Sequence, residues 1–332
     1  MRQSILVTGG AGYVGAHACK ALAASGYTPV VYDNFVSGHR EAVRWGPLYE
    51  GDVRDAAQLD AAFARHRPTA VMHFAALSEV GSSWKQPVEY YQNNVVGSLV
   101  LLERALAYNV QAFVFSSTCA VYGIPDYSPI NEDTKLNPIN PYGRSKMMAE
   151  FGLQDAANAY GINVIALRYF NAAGASFDGE IGEDHTPETH LIPRVLHAAL
   201  DQDRIFGING GDYSTPDGSC VRDFIHVDDL AQAHLAALER LLKGLQTGFE
   251  PLNLGTGRGY SVFEVLAAAE QITGRRIRTK VGPRRRGDAP SLVADSSRAG
   301  HVLNWEPTSS DLETLISTAW AWTRRDARAV AA

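Results

Sequence analysis

Tyr142 and Lys146 stand four residues apart in the run Asn137-Pro-Ile-Asn-Pro-Tyr-Gly-Arg-Ser-Lys146. On a helix that spacing puts both side chains on one face, a turn apart. An ammonium beside a phenol favours the phenolate, which predicts a tyrosine drawn from its usual range near 10 toward neutrality, a general base for a secondary alcohol. Alone, such a pair is an ordinary exposed helix feature. It gains weight from Phe115-Ser116-Ser117-Thr118, hydroxyls at the carboxyl end of an apolar run, where open α/β sheets bind their ligands. Hydroxyl, tyrosine and lysine together are a set for handling protons during hydride transfer at an alcohol or carbonyl. Thr118 is the best-placed hydroxyl, and loop hydrogen bonding is the alternative role of Ser116 and Ser117.

A second constellation lies at the N-terminus. Gly10-x-Gly12-x-x-Gly15, preceded by Gly9, follows Ile5-Leu6-Val7 and opens a helical stretch. Glycines there permit a tight turn and let backbone N–H groups at the helix start approach a pyrophosphate. Asp33 lies eighteen residues past Gly15 at the end of the next apolar run, near the spacing of an acid that accepts ribose hydroxyls and repels a 2′-phosphate. NAD is therefore expected rather than NADP, with Arg40 near enough in sequence to keep the second open. Asp52-Val53 is either an adenine contact or the N-cap of a helix beginning near Arg54. Phe74-Ala75-Ala76 ends a fourth run with small residues against which a cofactor can lie.

The elements that must position these groups alternate. Strands are expected at Ile5–Thr8, Val30–Asp33, Leu48–Glu50, Ala70–Phe74, Ala112–Ser116 and Val164–Arg168, and helices at roughly Val14–Ser25, Ala56–His66, Glu89–Asn109 and Tyr142–Tyr160. Such βαβ alternation predicts a Rossmann-type, doubly wound parallel sheet. Past Arg168 the chain turns rich in Gly, Pro, Asp and Thr, with one helix near Ile192–Asp201. The expected division is an NAD-binding part over 1–170, with returning segments near 221–245, and a smaller substrate-binding α/β domain drawn mainly from 171–332.

Composition sets outer bounds. The 332 residues are 45% hydrophobic and 20% charged with a formal net charge of -6, a balance that argues against nucleic acid as partner. Arg275, Arg276, Arg278, Lys280, Arg284, Arg285 and Arg286 crowd one stretch, either a solvated basic face or part of a pocket for a small diphosphate. Cys19, Cys119 and Cys220 are odd in number and widely spaced, which offers neither a disulfide framework nor a CxxC metal site. No metal, no membrane span and no signal peptide are expected, and a cytoplasmic protein fits best.

Together, TGGAGYVG, Asp33, FSSTCAVYG, NPYGRSK and LRYFNAAG resemble the extended short-chain dehydrogenase/reductase family. ETHLIP, TPDGSCVRDFIHVDDLA and RRRGD resemble, more narrowly, its UDP-glucose (UDP-galactose) 4-epimerases, and the likeness runs from residue 5 to about residue 305. It implies an isomerase that oxidises a UDP-sugar at C4 to a transient 4-keto sugar and returns the hydride to the other face. Tyr142 would be the base, Lys146 the ribose contact that tunes it and Thr118 the hydroxyl partner. Gly9, Gly12, Tyr13, Val14, Gly15, Asp33, Asn34, Phe35, Ser37, Gly38, Asp52, Val53, Phe74, Ala75, Ala76, Ser78, Asn93, Ser116, Tyr169 and Phe170 would join Tyr142 and Lys146 around NAD. Asn171, His190, Leu191, Arg222, Arg285 and Asp288 would join Thr118 and Tyr142 around the UDP-sugar, the other arginines of the run being solvated. Some relatives have Lys in place of Ser78 and Asn in place of His190. Related dehydratases carry an Asp-Glu pair where this chain has Cys119-Ala120. Leu292, at the position implied to gate sugar size, favours unsubstituted sugars over N-acetylated ones. The resemblance also implies a homodimer paired through helices near 91–108 and 142–160. The alternatives are UDP-pentose or UDP-N-acetylhexosamine epimerisation, a dehydratase or reductase, and a non-catalytic sensor.

Overall fold

The protein is described here by a computed structural model covering residues 2–330, with side chains to residue 325. Six strands come in chain order: β1 (Ser4–Thr8), β2 (Thr28–Asp33), β3 (Leu48–Glu50), β4 (Ala70–His73), β5 (Ala112–Thr118) and β6 (Asn163–Tyr169). Strands β7 (Asn171–Ala173), β8 (Phe206–Asn209) and β9 (Val221–His226) lie outside their sheet, and β10 (Phe249–Leu254) returns to it. The result is a seven-stranded sheet in the order β10-β6-β5-β4-β1-β2-β3, with every neighbouring pair parallel. The order reverses between β1 and β4, which opens a crevice at the carboxyl ends of these strands.

Its helices are α1 (Tyr13–Ala24), α2 (Ala56–His66), α3 (Val80–Ser83), α4 (Pro87–Tyr91), α5 (Gly97–Ala107), α6 (Pro141–Tyr160), α7 (Leu191–Leu200), α8 (Val227–Leu242), α9 (Val262–Thr273), α10 (Ser297–Leu303) and α11 (Leu312–Val330). Alternation along each strand feeds two layers. Ile5, Val7, Val31, Met72 and Val114 pack with Leu22 of α1 and Leu230, Leu238 and Leu241 of α8. Leu6, Val30, Val71, Phe113 and Phe115 pack with Leu59, Phe63, Leu101 and Leu153 on the other face. Strands buried on both faces are apolar almost throughout, as parallel sheets require.

The expected strands are all present, with ends that differ by a residue or two. Where one continuous helix was expected over 89–109, a π turn at Gln92–Val96 joins α4 to α5. The inserted residue turns Asn94 inward, so that its side chain bonds Leu77 on one side and the Ser145 hydroxyl on the other.

The remaining strands form a four-stranded sheet, with β11 (Gly259–Ser261) and β13 (Ser291–Leu292) flanking β9 and β7 also paired to β9, and a two-stranded pairing of β8 with β12 (Thr279–Gly282). Ile192, Leu196, Phe206, Phe224, Val265, Leu266, Leu315 and Ile316 give this region a core of its own. Within 221–245, helix α8 packs on the large sheet while β9 belongs to the smaller one. Among the described residues, no helix is long and apolar enough to cross a membrane.

Candidate active site

The turn between β1 and α1 is built to admit a ligand and nothing larger than glycine. Gly9 adopts φ +72°, and a Cβ there would sit 2.5 Å from the Ala75 nitrogen. At Gly15 a Cβ would meet the Gly9 carbonyl oxygen at 2.1 Å. Gly12 caps the start of α1 and has no side chain to bond its N–H groups, so those groups and the helix dipole are left for an anion. Asp33 ends β2 and is 8% exposed; Oδ2 accepts from Ala11 N and Oδ1 from Phe35 N, each at 2.9 Å. Those bonds fix the carboxylate beside the glycine turn and leave lone pairs for ribose hydroxyls. Arg40 is turned to other work: it pairs with Glu50 and lies 4.4 Å over the Phe35 ring. A helix start without a side-chain cap, a cradle that a Cβ would fill and an oriented acid together fit NAD.

Asn140 starts α6 by accepting from Gly143 N at 2.8 Å, with Pro141 in the first turn, a strong helix-start combination. Tyr142 and Lys146 follow on the buried face, 8% and 3% exposed. The Lys146 ammonium donates to Ser116 O at 2.9 Å and lies 4.8 Å over the Phe115 ring. Strand alternation sorts the three hydroxyls. Ser116 bonds the Tyr169 hydroxyl at 2.8 Å and Thr118 accepts from Ala120 N at 3.2 Å, while Ser117 points away and donates to Glu150.

Proximity of Lys146 does not by itself make Tyr142 a base. Burial pushes the phenol up, the neighbouring Tyr169 adds to this, and the Thr118 hydroxyl offsets only part. Burial also lowers Lys146 to about 7, against which Glu150 alone acts. With its own charge disfavoured by burial, Lys146 offsets only part of the cost of ionising Tyr142, and positive charge on a bound ligand would add to it. Cys119, which stands at a dehydratase's acid position, is pushed by burial to about 12 and offers neither acid nor base near neutrality.

The third wall comes from the smaller sheet. Asp288 takes Arg285 through Nε at 3.0 Å and Nη2 at 2.7 Å, and Arg222 stands 3.6 Å from the same carboxylate. Arg222 also donates to Ala289 O at 2.8 Å. One acid thus aligns two guanidinium groups suited to a diphosphate. Asn171 donates to Asp223 O at 3.0 Å, and His190 directs Nδ1 to Glu183 at 2.6 Å. Of the other arginines of the run, Arg276 and Arg278 are exposed as expected, and three make contacts of their own. Arg284 pairs with Asp212 and stacks on Tyr213, Arg286 lies 4.2 Å over Trp84, and Arg275 bonds Ala199 O. A planar cation finds aromatic faces wherever the fold supplies them.

One cleft of about 460 Å³ gathers these three walls. Of the residues that the resemblance places around NAD or the UDP-sugar, all line it except Phe35, Gly38 and Asp52. Asp52 is chelated by Arg54 through Nε at 2.8 Å and Nη2 at 2.6 Å and is lowered to about 2 by that partner. Its N-cap alternative falls to Asp55, which accepts from Ala57 N and Gln58 N. Leu292 lines the cleft from β13. So do Arg194, Phe206, Asn209, Glu183 and His185, none of them singled out by sequence. Their only signal was proximity to ETHLIP and to the loop-rich stretch after residue 171.

Glycine turn, oriented acid and buried Tyr-Lys pair at a topological switch point define a nicotinamide-dependent enzyme of the short-chain type. Residues 5–255 match the NAD dependent epimerase/dehydratase family, and the chain belongs to it. More particularly, it is 52% identical over 320 residues to a UDP-glucose 4-epimerase of Rhizobium leguminosarum bv. trifolii, covering 96% of this chain and 97% of that one. The crystal structure of UDP-glucose 4-epimerase from Brucella ovis in complex with NAD is 49% identical, with a TM-score of 0.92 over 96% of this chain and 98% of that one. A Stenotrophomonas maltophila UDP-glucose-4-epimerase, solved with NAD and formylated UDP-arabinopyranose, is 38% identical, with a TM-score of 0.94 over 99% of this chain and all of that one.

Proposed function

We infer that the chain is an NAD-dependent UDP-glucose 4-epimerase that interconverts UDP-glucose and UDP-galactose. The observation that carries this reading is that Thr118, Tyr142 and Lys146 face the same cleft as the glycine turn, in a chain similar along nearly its whole length to UDP-glucose 4-epimerases. NAD, held by the glycine turn, Asp33 and Lys146, would supply the hydride acceptor and, in its oxidised form, a positive ring. Tyr142 takes the proton of the 4-hydroxyl as the C4 hydride departs, and gives a proton back when the 4-keto sugar is reduced. Lys146 holds the cofactor ribose and, with Thr118, sets the proton affinity of the phenol. Arg222 and Arg285, held by Asp288, grip the diphosphate. The hexose itself meets few dedicated groups and is free to turn about its diphosphate link.

In this reading the large sheet holds NAD and the smaller sheet with α7 holds the UDP-sugar. Leu292 limits the space beside the sugar, which favours unsubstituted hexoses. The enzyme works in the cytoplasm, in galactose metabolism, as a homodimer paired through α4–α5 and α6. Support for the pairing comes from Val88, Val96, Leu99, Met148 and Phe151, apolar side chains left exposed on those elements. NMR of the purified protein with UDP-galactose tests the activity. A mixture of UDP-galactose and UDP-glucose with no third sugar nucleotide is expected, and a keto or deoxy product would overturn the reading.

A further inference from the structure

Between Ile181 and α7 the chain reads Glu183-x-His185-x-x-Glu188-x-His190, a spacing unlike the cysteine patterns by which metal sites are usually read from sequence. The four side chains converge, with one ligand atom from each lying within 4.8 Å of the other three. His190 Nδ1 stands 2.6 Å from Glu183 Oε1 and 3.3 Å from Glu188 Oε1, and His185 Nδ1 stands 3.4 Å and 3.7 Å from the same two carboxylates. A tetrahedral ion with ligands at about 2.0–2.2 Å has edges of roughly 3.3–3.6 Å, so three of these four separations need little adjustment.

Two further observations point to a ligand. Both carboxylate side chains are only 5% exposed, and His185 Nδ1, also buried and aimed at them, makes no hydrogen bond. Beside them lies a small recess of about 30 Å³ lined by Glu183, His185 and Glu188, with His197, Pro193 and Trp322 among its other walls and His190 outside it, room enough for an ion or a water. His190 is held by a hydrogen bond to Glu188 as well as by Glu183, whereas His185 makes only the longer ion-pair contacts to the two carboxylates.

We propose that Glu183, His185, Glu188 and His190 form a zinc site. Two imidazoles and two carboxylates suit Zn²⁺, and the two buried acids neutralise its charge, with His190, 47% exposed, closing the shell on the solvent side. Four protein ligands close the shell, so the ion is structural. It clips residues 183–190 in place ahead of α7, whose first residue, Leu191, lines the cleft. Coordination through Nδ1 leaves His190 Nε2 unspent.

The test uses the full chain as purified with its dinucleotide, dialysed first against chelator and then against metal-free buffer. Titration with zinc chloride, followed by desalting and elemental analysis, should leave about one zinc per chain. His185→Gln and Glu188→Gln should each retain little. Cobalt loaded into the unaltered protein should give the strong visible bands of a four-coordinate ion and be displaced by zinc, a readout that needs no variant. Unaltered protein that retains no zinc, weak six-coordinate cobalt bands, or full zinc retention in both variants would each overturn the proposal.

Discussion

Tyr142 sits where ionising it is costly, and the chain's own cation offsets only part of that cost. A phenol raised by burial beside a lysine lowered to about 7 stays protonated at rest, and positive charge on a bound ligand would favour its ionisation. Tyr142→Phe should lower turnover of UDP-galactose about 10²–10⁴-fold, the usual worth of a general base, while the dinucleotide released on denaturation stays at the unaltered level. Equal losses of both would mean that the residue serves binding. Lys146 makes a second, pH-dependent prediction. Its pKa falls from 10.5 to about 7 on folding, so across that window the unfolded chain holds the extra proton. Stability then rises with pH, by about 1.4 kcal/mol per unit from this one group. Lys146→Met removes the dependence, and its advantage over the parent in urea unfolding should shrink from pH 7 toward about pH 10. An advantage that stays constant across that range would show that Lys146 is not depressed.

At the scale of elements, α6, which carries Tyr142 and Lys146, is positioned by a buried network. Arg168 of β6 reaches Glu150 of α6 at 3.0 Å through Nε and the Tyr122 hydroxyl at 3.0 Å through Nη1, and Tyr122 bonds Asn253 of β10 at 2.7 Å. Removing one partner leaves a charge buried alone. Arg168→Ala should therefore cost roughly 3–5 kcal/mol in denaturant unfolding, and a loss below 1 kcal/mol would contradict this account of how α6 is held. Gly15→Ala should empty the cofactor site by forcing the turn apart, read as dinucleotide missing from the purified protein. Much of this layer was legible in sequence. Continuous apolar runs at βαβ spacing can only be strands covered on both faces, and a glycine turn followed by an acid at strand end is a local pattern. Ser117 was not legible as a support for Glu150, because its partner lies thirty-three residues away. The π turn escaped because the Asn94 bonds that accommodate it reach Leu77 and Ser145, neither of them close in sequence.

For the whole molecule, the cleft lies where the seven-stranded sheet and a second core meet, and its two sides were unequally readable. The sheet side is built from strand ends that announce themselves by periodicity. The other side depends on loops: Asp288 gathers Arg222 from sixty-six residues earlier, and Glu183 and His185 reach the cleft from a stretch with no repeating pattern. If the exposed apolar side chains on α4–α5 and α6 pair two chains, Phe151→Asp should halve the mass measured by light scattering and leave fold content unchanged. A monomeric parent would dismiss that interface. The central claim is that the C4 hydride leaves the sugar and returns to it without meeting solvent. UDP-galactose carrying deuterium at C4, incubated with the protein in ordinary water, should give UDP-glucose with the deuterium still at C4. Product that has lost the label to solvent would contradict the account.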